Sequence, residues 1–498
     1  LRVKRPQKQT LYFSDFGAVY DGTTDNSAAR DAFVAAGIAL DKDLIFDGTK
    51  DQVCYFASAI SRTIIDVMPH GSSLRMLGNG LTLKCKDRGL IDYLSATNTD
   101  NSITTDLPKG GTEIQLATTP TEGQLIQLVG RLASDDSSVY VQTFSVSLDA
   151  TNSVAILPSK FPFFTLPDGS TQIYTTVSTT ERVCSFTVEN INFYFELTSD
   201  NTTDNVYRPI VIKGGNLSIS NCEQTTSRDA TANEKNVDFY FNLPGIALIY
   251  KGRLNAEAIN GFNFGYLLWQ QDGYFSLIKN GYGQRGRHYF TQNNNHDPIV
   301  ESILIEEGGA VDFHGGWGGT LRNVRSSNAG TIGLSNARTI GDVTIENCEF
   351  TFSEFNAGSP VGAYINSTWV TNAANIPFFE EVLGSTVKIR DSRFSGRLSV
   401  GAYVQDLTLD NVVADELSPG EYNLNGLRDI YKEIIISNLK RPNGRKLLFP
   451  VTTPNARRIR KIHNPGNPEN ICKTWYLATG ASGNKTFIGL LTGLNMSL

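Results

Sequence analysis

The chain has 498 residues, of which 40% are hydrophobic and 19% are charged, and its formal net charge is −6. Its 45 glycines, together with many Asn, Ser and Thr residues, favour short strands joined by tight turns over long charged helices. The sequence has no dense Lys/Arg block and no apolar run of about 18 residues, which argues against nucleic-acid binding and against membrane insertion.

The first predicted elements lie in residues 15–40, DFGAVYDGTTDNSAARDAFVAAGIAL. A strand and a Gly/Asp/Thr turn lead into a helix over about 26–40, with Thr24 or Asp25 as its N-cap. The apolar stripe of this helix consists of Ala29, Phe33, Ala36 and Leu40. Short apolar runs punctuated by Gly, Asp and Asn follow, and they predict strands.

A second region, from about residue 100 to 180, contains hairpin-like turns and lacks the pattern that follows it. We interpret it as a β-rich insertion. From about residue 186 a loose repeat emerges, in which two alternating apolar residues are followed by Asn or Asp and a second short strand. Its clear copies are FTVENINF, LSISNCEQ, VTIENCEF, VKIRDSRF, LTLDNVVA and IIISNLKR.

The repeat predicts stacked coils whose intervening loops differ in length. Its alternation buries Val343 and Ile345 and turns Thr344 and Glu346 outward. The polar residue after each strand is expected to bend the chain and to bond to the next coil. The ladder predicted in this way comprises Asn190, Asn221, Asn347, Asp391, Asn411 and Asn438. Because the first coil exposes a strand edge, we expect the helix at 26–40 to cover it.

The six cysteines lie far apart, without a CxxC pair, so neither a zinc site nor a disulfide framework is predicted. We expect most of them to be buried, reduced thiols. The chain begins LRVKRPQKQT, without the apolar stretch of a secretory signal, and its first residue is Leu rather than Met. This end of the sequence therefore does not indicate a compartment, and a segment upstream of residue 1 is expected.

The opening residues resemble the N-terminal signature of the pectate-lyase-like right-handed parallel β-helix superfamily. The matching residues are Asp15, Phe16, Gly17, Ala18, Asp21, Gly22, Asp25, Ala28 and Ala29. With the Asn ladder and the insertion, the chain resembles bacteriophage tailspikes that depolymerise polysaccharides. This resemblance implies an all-β, right-handed parallel β-helix with an N-terminal capping helix, a β-rich insertion and a C-terminal cap.

The resemblance also implies a homotrimer, located in the virion tail and joined to the phage particle through the region upstream of residue 1. Such a protein is made in the cytoplasm of the host bacterium and acts outside the target cell. Its partner would be a bacterial surface polysaccharide, a capsule or an O-antigen. We divide the chain into 1–99 (N-terminal segment, capping helix and first coils), 100–185 (insertion), 186–440 (main β-helix) and 441–498 (cap or trimerisation segment).

Two related chemistries are disfavoured by the residues themselves. The polygalacturonase relatives carry Asn-Thr-Asp, Asp-Asp, Gly-His-Gly and Arg-Ile-Lys motifs on successive coils, whereas here NTD occurs only at 98–100 and no Gly-His-Gly follows. A pectate-lyase calcium site needs several converging acidic ligands, and the sequence shows no such concentration. No cofactor and no metal are therefore expected.

Titratable and aromatic residues are densest in GQRGRHYFTQNNNHDPIVESILIEEGGAVDFHGGWGG, residues 283–319. Two carboxylates suffice for glycoside hydrolysis, at about 5 Å for retention or about 6.5 to 9.5 Å for inversion. We predict Glu306 and Asp312 as this pair, with Glu307 and Glu301 as rivals. His314 is predicted to share the outer face with Asp312.

The rival chemistry is β-elimination from an acidic sugar, which needs a base and a cation. Arg285, Arg287, His288 and Tyr289 supply both types. The predicted aromatic platforms for sugar rings are Trp269, Trp317, Trp369 and Tyr289. A non-catalytic receptor-binding fibre with the same fold is the alternative from a different functional class.

Each of these assignments has a purely structural alternative. Glu306 can belong to an exposed ladder of mixed charge, together with Arg322, Glu346, Arg390 and Asp410. Glu307 occupies the position where other coils have Asn, which is typical of a turn. His314 can simply bond a neighbouring backbone, and the isolated His70 and His463 are expected to be structural.

Overall fold

A computed structural model describes residues 9–85, 87–95, 97–101, 113–116, 121–132, 138–145, 155–156, 173–180, 182–196, 208–227, 243–329, 332–352, 362–365, 385–400, 404–419, 433–437, 448–451, 462–463, 475–479 and 484–489. The chain divides into two compact units. Unit 1 comprises Leu1–Thr105, Glu113–Pro158 and Gln172–Phe290, and unit 2 comprises Asp106–Thr112, Ser159–Thr171 and Thr291–Leu498. Each unit is described by itself.

Unit 1 begins with short strands, a 3-10 helix at Phe13–Phe16 and two α-helices. The elements are β1 Thr10–Tyr12, β2 Asp21–Asp25, α1 Ser27–Leu40, β3 Asp43–Thr49, β4 Val53–Phe56, α2 Arg62–Ile65, β5 Ser73–Asn79, β6 Thr82–Cys85 and β7 Ile91–Leu94.

Helix α1 covers the first coil, as the sequence predicts. Phe33 is fully buried and its ring lies 5.1 Å from that of Phe13 and 5.3 Å from that of Phe46. The predicted N-cap, Thr24 or Asp25, is wrong, because the helix begins at Ser27 and Asn26 is its N-cap; Asp25 Oδ1 nevertheless accepts the backbone N–H of Ser27 at 2.9 Å. The predicted apolar stripe is wrong at its last member, because Leu40 is 57% exposed where the helix ends.

The predicted insertion falls between β7 and the next coil. Its strands are β8 Thr97–Asn101, β9 Glu113–Ile114, β10 Leu125–Leu132, β11 Ser138–Ser145, β12 Ala155–Ile156 and β13 Ile173–Thr180. Four of them form an antiparallel sheet in the order β11-β10-β13-β8, and β9 pairs with β12. The two ends of the insertion are adjacent, because the backbone N–H of Arg182 donates to Ser95 Oγ at 3.0 Å.

The coils of unit 1 continue after the insertion. Their strands are β14 Ser185–Glu189, β15 Asn192–Phe195, β16 Ile210–Lys213, β17 Asn216–Thr226, β18 Ala247–Tyr250, β19 Leu254–Gln271 and β20 Leu277–His296, the last of which extends into unit 2.

Three parallel ladders run along unit 1. One stacks β1, β3, β5, β14, β17 and β19, a second stacks β4, β6, β15 and β17, and a third stacks β7, β16, β18 and β19. Strand β14 pairs directly with β5, Ser185 opposite Ser73, although the whole insertion separates them in sequence.

The strands of unit 2 are β21 Ile299–Glu306, β22 Gly309–Arg322, β23 Arg325–Ala329, β24 Ile332–Glu346, β25 Glu349–Phe352, β26 Gly362–Ile365, β27 Ser385–Arg390, β28 Arg393–Val400, β29 Val404–Asp410, β30 Val413–Pro419, β31 Glu433–Ser437, β32 Leu448–Val451, β33 Ile462–His463, β34 Trp475–Thr479 and β35 Asn484–Gly489.

Unit 2 is also a stack of parallel coils. The parallel register aligns Val300, Leu321, Ile345, Ile389, Leu409 and Ile436 in one column. The first five are at most 1% exposed, so this column forms part of the core. Near the C-terminus, β33 still pairs in parallel with β31, whereas β32, β34 and β35 form a separate mixed sheet.

The predicted polar ladder is confirmed for the residues that the structure describes. Asn190, Asn221, Asn347, Asp391 and Asn411 all adopt positive φ between 48° and 56°. In this conformation Asn347 donates its backbone N–H to the Arg390 carbonyl of the next coil at 3.1 Å. Side chains also connect the coils, since Asn411 Nδ2 donates to Asp391 Oδ1 at 2.7 Å. Asn438 lies outside the described residues.

The structure confirms the predicted fold class, a nearly all-β parallel β-helix with one capping helix and an inserted sheet. The homotrimer and the four chain boundaries stay predictions. Five cysteines, Cys54, Cys85, Cys184, Cys222 and Cys348, are buried free thiols, as expected, and Cys472 lies outside the described residues. Within the described part of the chain, neither helix has the length and hydrophobicity that a membrane span requires.

Candidate functional site

The acidic site of unit 2 lies at one corner of its coils. Four residues lie on successive coils, each three positions before a member of the buried aliphatic column: Asp297, Gly318, Asp342 and Thr386. A hydrogen bond supports this alignment, because the Thr386 N–H donates to Asp342 Oδ1 at 3.2 Å. The two carboxylates therefore lie two coils apart, with a glycine between them. We refer to Asp297, Gly318 and Asp342 as the acidic corner.

Gly318 leaves the space that the carboxylate of Asp297 occupies. A Cβ atom at Gly318 would overlap Oδ1 of Asp297 and would lie 3.1 Å from the backbone oxygen of Asp342. The φ of Gly318 is 64°, in the left-handed region that favours glycine. The Asp297 side chain thus leans over Gly318 towards the coil of Asp342.

The two acids of the acidic corner lie in different electrostatic environments. Burial, and to a smaller extent the negative charge of Asp342, raises the pKa of Asp297 to about 6. The Asp297 side chain remains 43% exposed, so solvent reaches it. Asp342, the other acid of the acidic corner, is exposed. The carboxyl group of Asp297 can therefore hold a proton to a higher pH than an ordinary carboxyl group does.

His296 is the buried neighbour of Asp297. Its Nδ1 lies 3.3 Å from Asp297 Oδ2, and the residue is 1% exposed. Burial lowers the pKa of His296 to about 4, so the imidazole is neutral at neutral pH. The imidazole therefore lies beside the Asp297 carboxyl group without supplying a positive charge that would ionise it.

Two coils, at about 4.8 Å each, separate the Asp297 and Asp342 backbones by roughly 9 to 10 Å. Inverting glycosidases place their two carboxyl groups about 6.5 to 9.5 Å apart, which leaves room for a water molecule. The acidic corner can therefore protonate a leaving group with one acid and activate water with the other. Among the described residues, no group of three or more His, Cys, Asp or Glu is arranged to hold a metal ion.

The catalytic residues predicted from the sequence lie elsewhere in unit 2. Glu306 is half-buried at the end of β21, opposite Ser327. Glu307 adopts φ 59° and donates its N–H to the Ser327 carbonyl at 2.8 Å, as the Asn residues of other coils do. Glu307 is therefore a turn residue, which is the structural alternative raised for it above.

Asp312 alternates with the core residues Val311 and Phe313, as predicted, yet it is only 1% exposed. Burial to this extent keeps the Asp312 carboxylate away from a glycosidic bond and its attacking water in this conformation, so the pairing of Glu306 with Asp312 is disfavoured. The side chains of His314 and Trp317 lie outside the described residues, as does Trp369.

Unit 1 contains the other predicted sugar-binding residues. Tyr289 is fully buried, and its hydroxyl donates to the Ile259 carbonyl at 2.6 Å. Burial raises the pKa of Tyr289, and its ring packs edge-on against Phe264 at 6.3 Å. The placement of Tyr289 in the core excludes it as a sugar platform and as an accessible base. Arg285 is half-buried in a turn with φ 55°.

Three of the predicted residues, Trp269, Arg287 and His288, do come together, around Tyr266. The Tyr266 ring stacks on His288 at 5.7 Å and contacts Trp269 at 5.3 Å. Arg287 places its guanidinium carbon 5.3 Å from the centre of the same ring. On the far side, the guanidinium of Arg208 lies 4.9 Å over Trp269. We refer to these five residues as the cation–aromatic cluster.

Sequence reasoning did not select Arg208, Tyr266, Asp297 or Asp342. A signal for Asp342 was present, since an alignment of the repeat that starts one residue earlier than VTIENCEF includes it. Arg208 had no such signal, because it precedes its strand by two residues and resembles any isolated cation in a loop.

No family model and no curated protein sequence matches the chain. Among solved structures, the tailspike gp61 of Pseudomonas phage phi297 is 12% identical, covers 92% of this chain and 85% of its own, and has a TM-score of 0.52. The tailspike gp49 of Pseudomonas phage LKA1 is 12% identical over 88% of this chain and 82% of its own, with a TM-score of 0.48. The gp54 tailspike of Acinetobacter baumannii bacteriophage AP22, solved with a capsular saccharide, is 10% identical over 94% and 80%, with a TM-score of 0.38. The first of these similarities shows that the two chains share a fold.

Proposed function

We propose that this protein is a phage tailspike that binds and depolymerises a bacterial surface polysaccharide, a capsule or an O-antigen, by endo-glycoside hydrolysis. The observation that carries the proposal is the acidic corner: two carboxyl groups on coils separated by Gly318, one of them with a raised pKa. The fold shared with the phi297 tailspike supports the viral assignment. We further propose, on the resemblance of the opening residues and the repeat, a homotrimer in the virion tail, attached through a region upstream of residue 1.

In this mechanism Asp297 is the general acid. Its proton passes to the glycosidic oxygen as the bond to the anomeric carbon breaks, so the leaving sugar departs as an alcohol. His296 holds the Asp297 carboxyl group from the buried side, and the missing side chain at Gly318 leaves this group room to lean towards the substrate.

Asp342 is the general base. Its exposed carboxylate takes a proton from a water molecule that attacks the anomeric carbon from the opposite face of the sugar ring. The separation of two coils accommodates this water, so we expect inversion of the anomeric configuration. Each cycle leaves Asp297 ionised and Asp342 protonated, and exchange of one proton with solvent restores both groups.

The proposal is tested by incubating the protein with purified capsular polysaccharides and O-antigens and measuring chain length and new reducing ends. We expect Asp297→Asn and Asp342→Asn each to reduce the rate of chain shortening at least about 100-fold. Asp410→Asn is the matched control, because Asp410 is a partly exposed acid on the outer face of a later coil of the same unit.

The other outcomes separate the alternatives. Absorbance near 232 nm in the products would identify a lyase and overturn hydrolysis. Binding without any chain shortening would identify a receptor-binding fibre. Full activity in both Asp variants would remove the acidic corner from the mechanism and return Glu306 to consideration.

A further inference from the structure

We infer that Arg208 and Trp269 in unit 1 form a binding site for the carboxylate of an acidic sugar. This inference rests on the proposed function and narrows its substrate to a polysaccharide that contains uronic acids or similar carboxylated sugars. The site is built from three buried N–H donors that have no acceptor among the residues that the structure describes.

Arg208 supplies two of these donors. The residue is 3% exposed, and its Nε and Nη2 atoms are buried without a hydrogen-bond partner. These two atoms lie on the same edge of the planar guanidinium group, which is the edge that binds both oxygens of a carboxylate in parallel. Burial lowers the pKa of Arg208 to about 10, so the group is still positively charged at neutral pH.

The acid that accepts a hydrogen bond from the Arg208 backbone does not neutralise this edge. Asp87 Oδ1 accepts the backbone N–H of Arg208 at 3.0 Å, and Asp87 Oδ2 pairs with Arg88 Nε at 3.1 Å. Both oxygens of Asp87 therefore have other partners. A buried cation with unpaired N–H groups is unfavourable in a folded protein unless an acceptor arrives from outside.

Trp269 supplies the third donor. Its Nε1 is also buried without a partner, and its ring lies 4.9 Å from the guanidinium carbon of Arg208. The coil register explains this proximity: Arg208 precedes β16, β16 stacks on β18, and Leu248 of β18 lies opposite Trp269. Arg208 and Trp269 are thus held by coils that lie two steps apart in the stack rather than by one loop.

In the inferred bound state the carboxylate enters beside the partly exposed side chains of the cation–aromatic cluster, which move aside to uncover the donors. Trp269 and Arg287 are half-buried, and Tyr266 contacts both of them. Aromatic faces of this kind pack against the C–H face of a sugar ring, while Arg287 adds a second positive charge. A uronic acid has a carboxylate attached directly to such a ring, so it matches both features, whereas a neutral sugar leaves the three donors unpaired.

The experiment uses the full chain carrying Asp297→Asn and Asp342→Asn, so that binding is measured without cleavage. Titration calorimetry compares oligosaccharides of glucuronate and galacturonate with neutral glucose oligosaccharides and with inorganic phosphate. We expect the acidic oligosaccharides to bind at least about tenfold more tightly than the neutral ones. Equal affinities would overturn the inference, and so would a preference for phosphate.

Three variants in the same background locate the site. Arg208→Lys keeps the charge but removes the two-donor edge, and we expect it to lose most of the preference for carboxylates. Trp269→Phe keeps the ring over the guanidinium and removes only the indole N–H, so it tests the site even if Arg208→Lys does not fold. Arg253→Met, at an exposed arginine of the same unit, is the control and should bind normally. Unchanged affinity in both Arg208→Lys and Trp269→Phe would overturn the inference.

The two proposals fail in distinguishable ways. Carboxylate-dependent binding without chain shortening by the unmutated protein would refute hydrolysis and leave the carboxylate site standing. Chain shortening of a polysaccharide whose carboxyl groups have been reduced, at an undiminished rate, would refute the carboxylate site and leave hydrolysis standing.

Discussion

Replacing Gly318 by Ala perturbs the acidic corner through a single methyl group. The new Cβ would overlap Oδ1 of Asp297, so the carboxyl group has to swing away from its position over Gly318. A non-glycine residue at φ 64° also costs about 1 to 2 kcal/mol in backbone energy. We therefore expect a loss of about 1 to 2 kcal/mol in unfolding free energy, because Asp297 is partly exposed and can move into solvent.

The loss of activity should be much larger than the loss of stability. Displacement of a general acid by about 1 Å reduces rates on the order of 100-fold. Gly71→Ala is the matched control, since Gly71 has φ 79° and no atom within 4 Å of the added Cβ. This control imposes the backbone cost alone, so we expect a similar loss of stability with full activity.

The measurements are urea denaturation and the initial rate of chain shortening on a polysaccharide that the unmutated protein cleaves. Equal rates for Gly318→Ala and the unmutated protein would refute the placement of Asp297 in the chemistry. If Gly71→Ala were as slow as Gly318→Ala, the backbone cost, rather than the displaced carboxyl group, would be the cause of the lost activity.

Four further predictions concern charge, backbone conformation and packing. Because the folded pKa of Asp297 is raised to about 6, the proton-donor form is lost above that pH, and the initial rate should fall on the alkaline side; a rate that is flat from pH 5 to 8 would contradict this. The raised pKa of Asp297 also affects stability: it favours the fold below about pH 4, and this contribution is lost as pH rises through 6. Between pH 4 and 7 the unfolding free energy of Asp297→Asn, measured by urea denaturation, should therefore gain about 1 kcal/mol relative to that of the unmutated protein, after allowance for solvent screening. Asn347→Val places a β-branched residue at φ 52° and should lower the unfolding free energy by about 2 kcal/mol, whereas Asn347→Gly should be nearly neutral. Arg30→Met removes the buried donors to the Ser58 and Gly89 carbonyls, at 2.7 and 2.8 Å, and should lower the melting temperature by several degrees; an unchanged melt would show that these bonds contribute nothing net.

The parts of the fold that depend on local sequence could be predicted. Asn347 and Asp391 end short alternating strands, and residues of this type adopt left-handed turns more readily than others, so their ladder followed from the repeat itself. Phe33 likewise signalled α1 through its helical spacing, although the N-cap is Asn26 rather than the predicted Thr24 or Asp25.

The candidate site depended on information that a single strand does not contain. Alternation correctly placed Asp312 opposite Val311 and Phe313, but it says only which side of the strand a residue occupies and nothing about what covers that side. Asp297 and Asp342 meet only through the register between coils of unequal length.

The direct pairing of β14 with β5 has a consequence for how such a chain can change. The insertion begins after Ser95 and ends before Arg182, and one hydrogen bond joins these two residues. The pairing of β5 with β14 therefore does not depend on the length of the inserted segment. The entropy of closing a loop grows only slowly with its length. The position is therefore a natural splice point, where an entire lobe could be exchanged for one of another shape while the coils beneath keep their alignment.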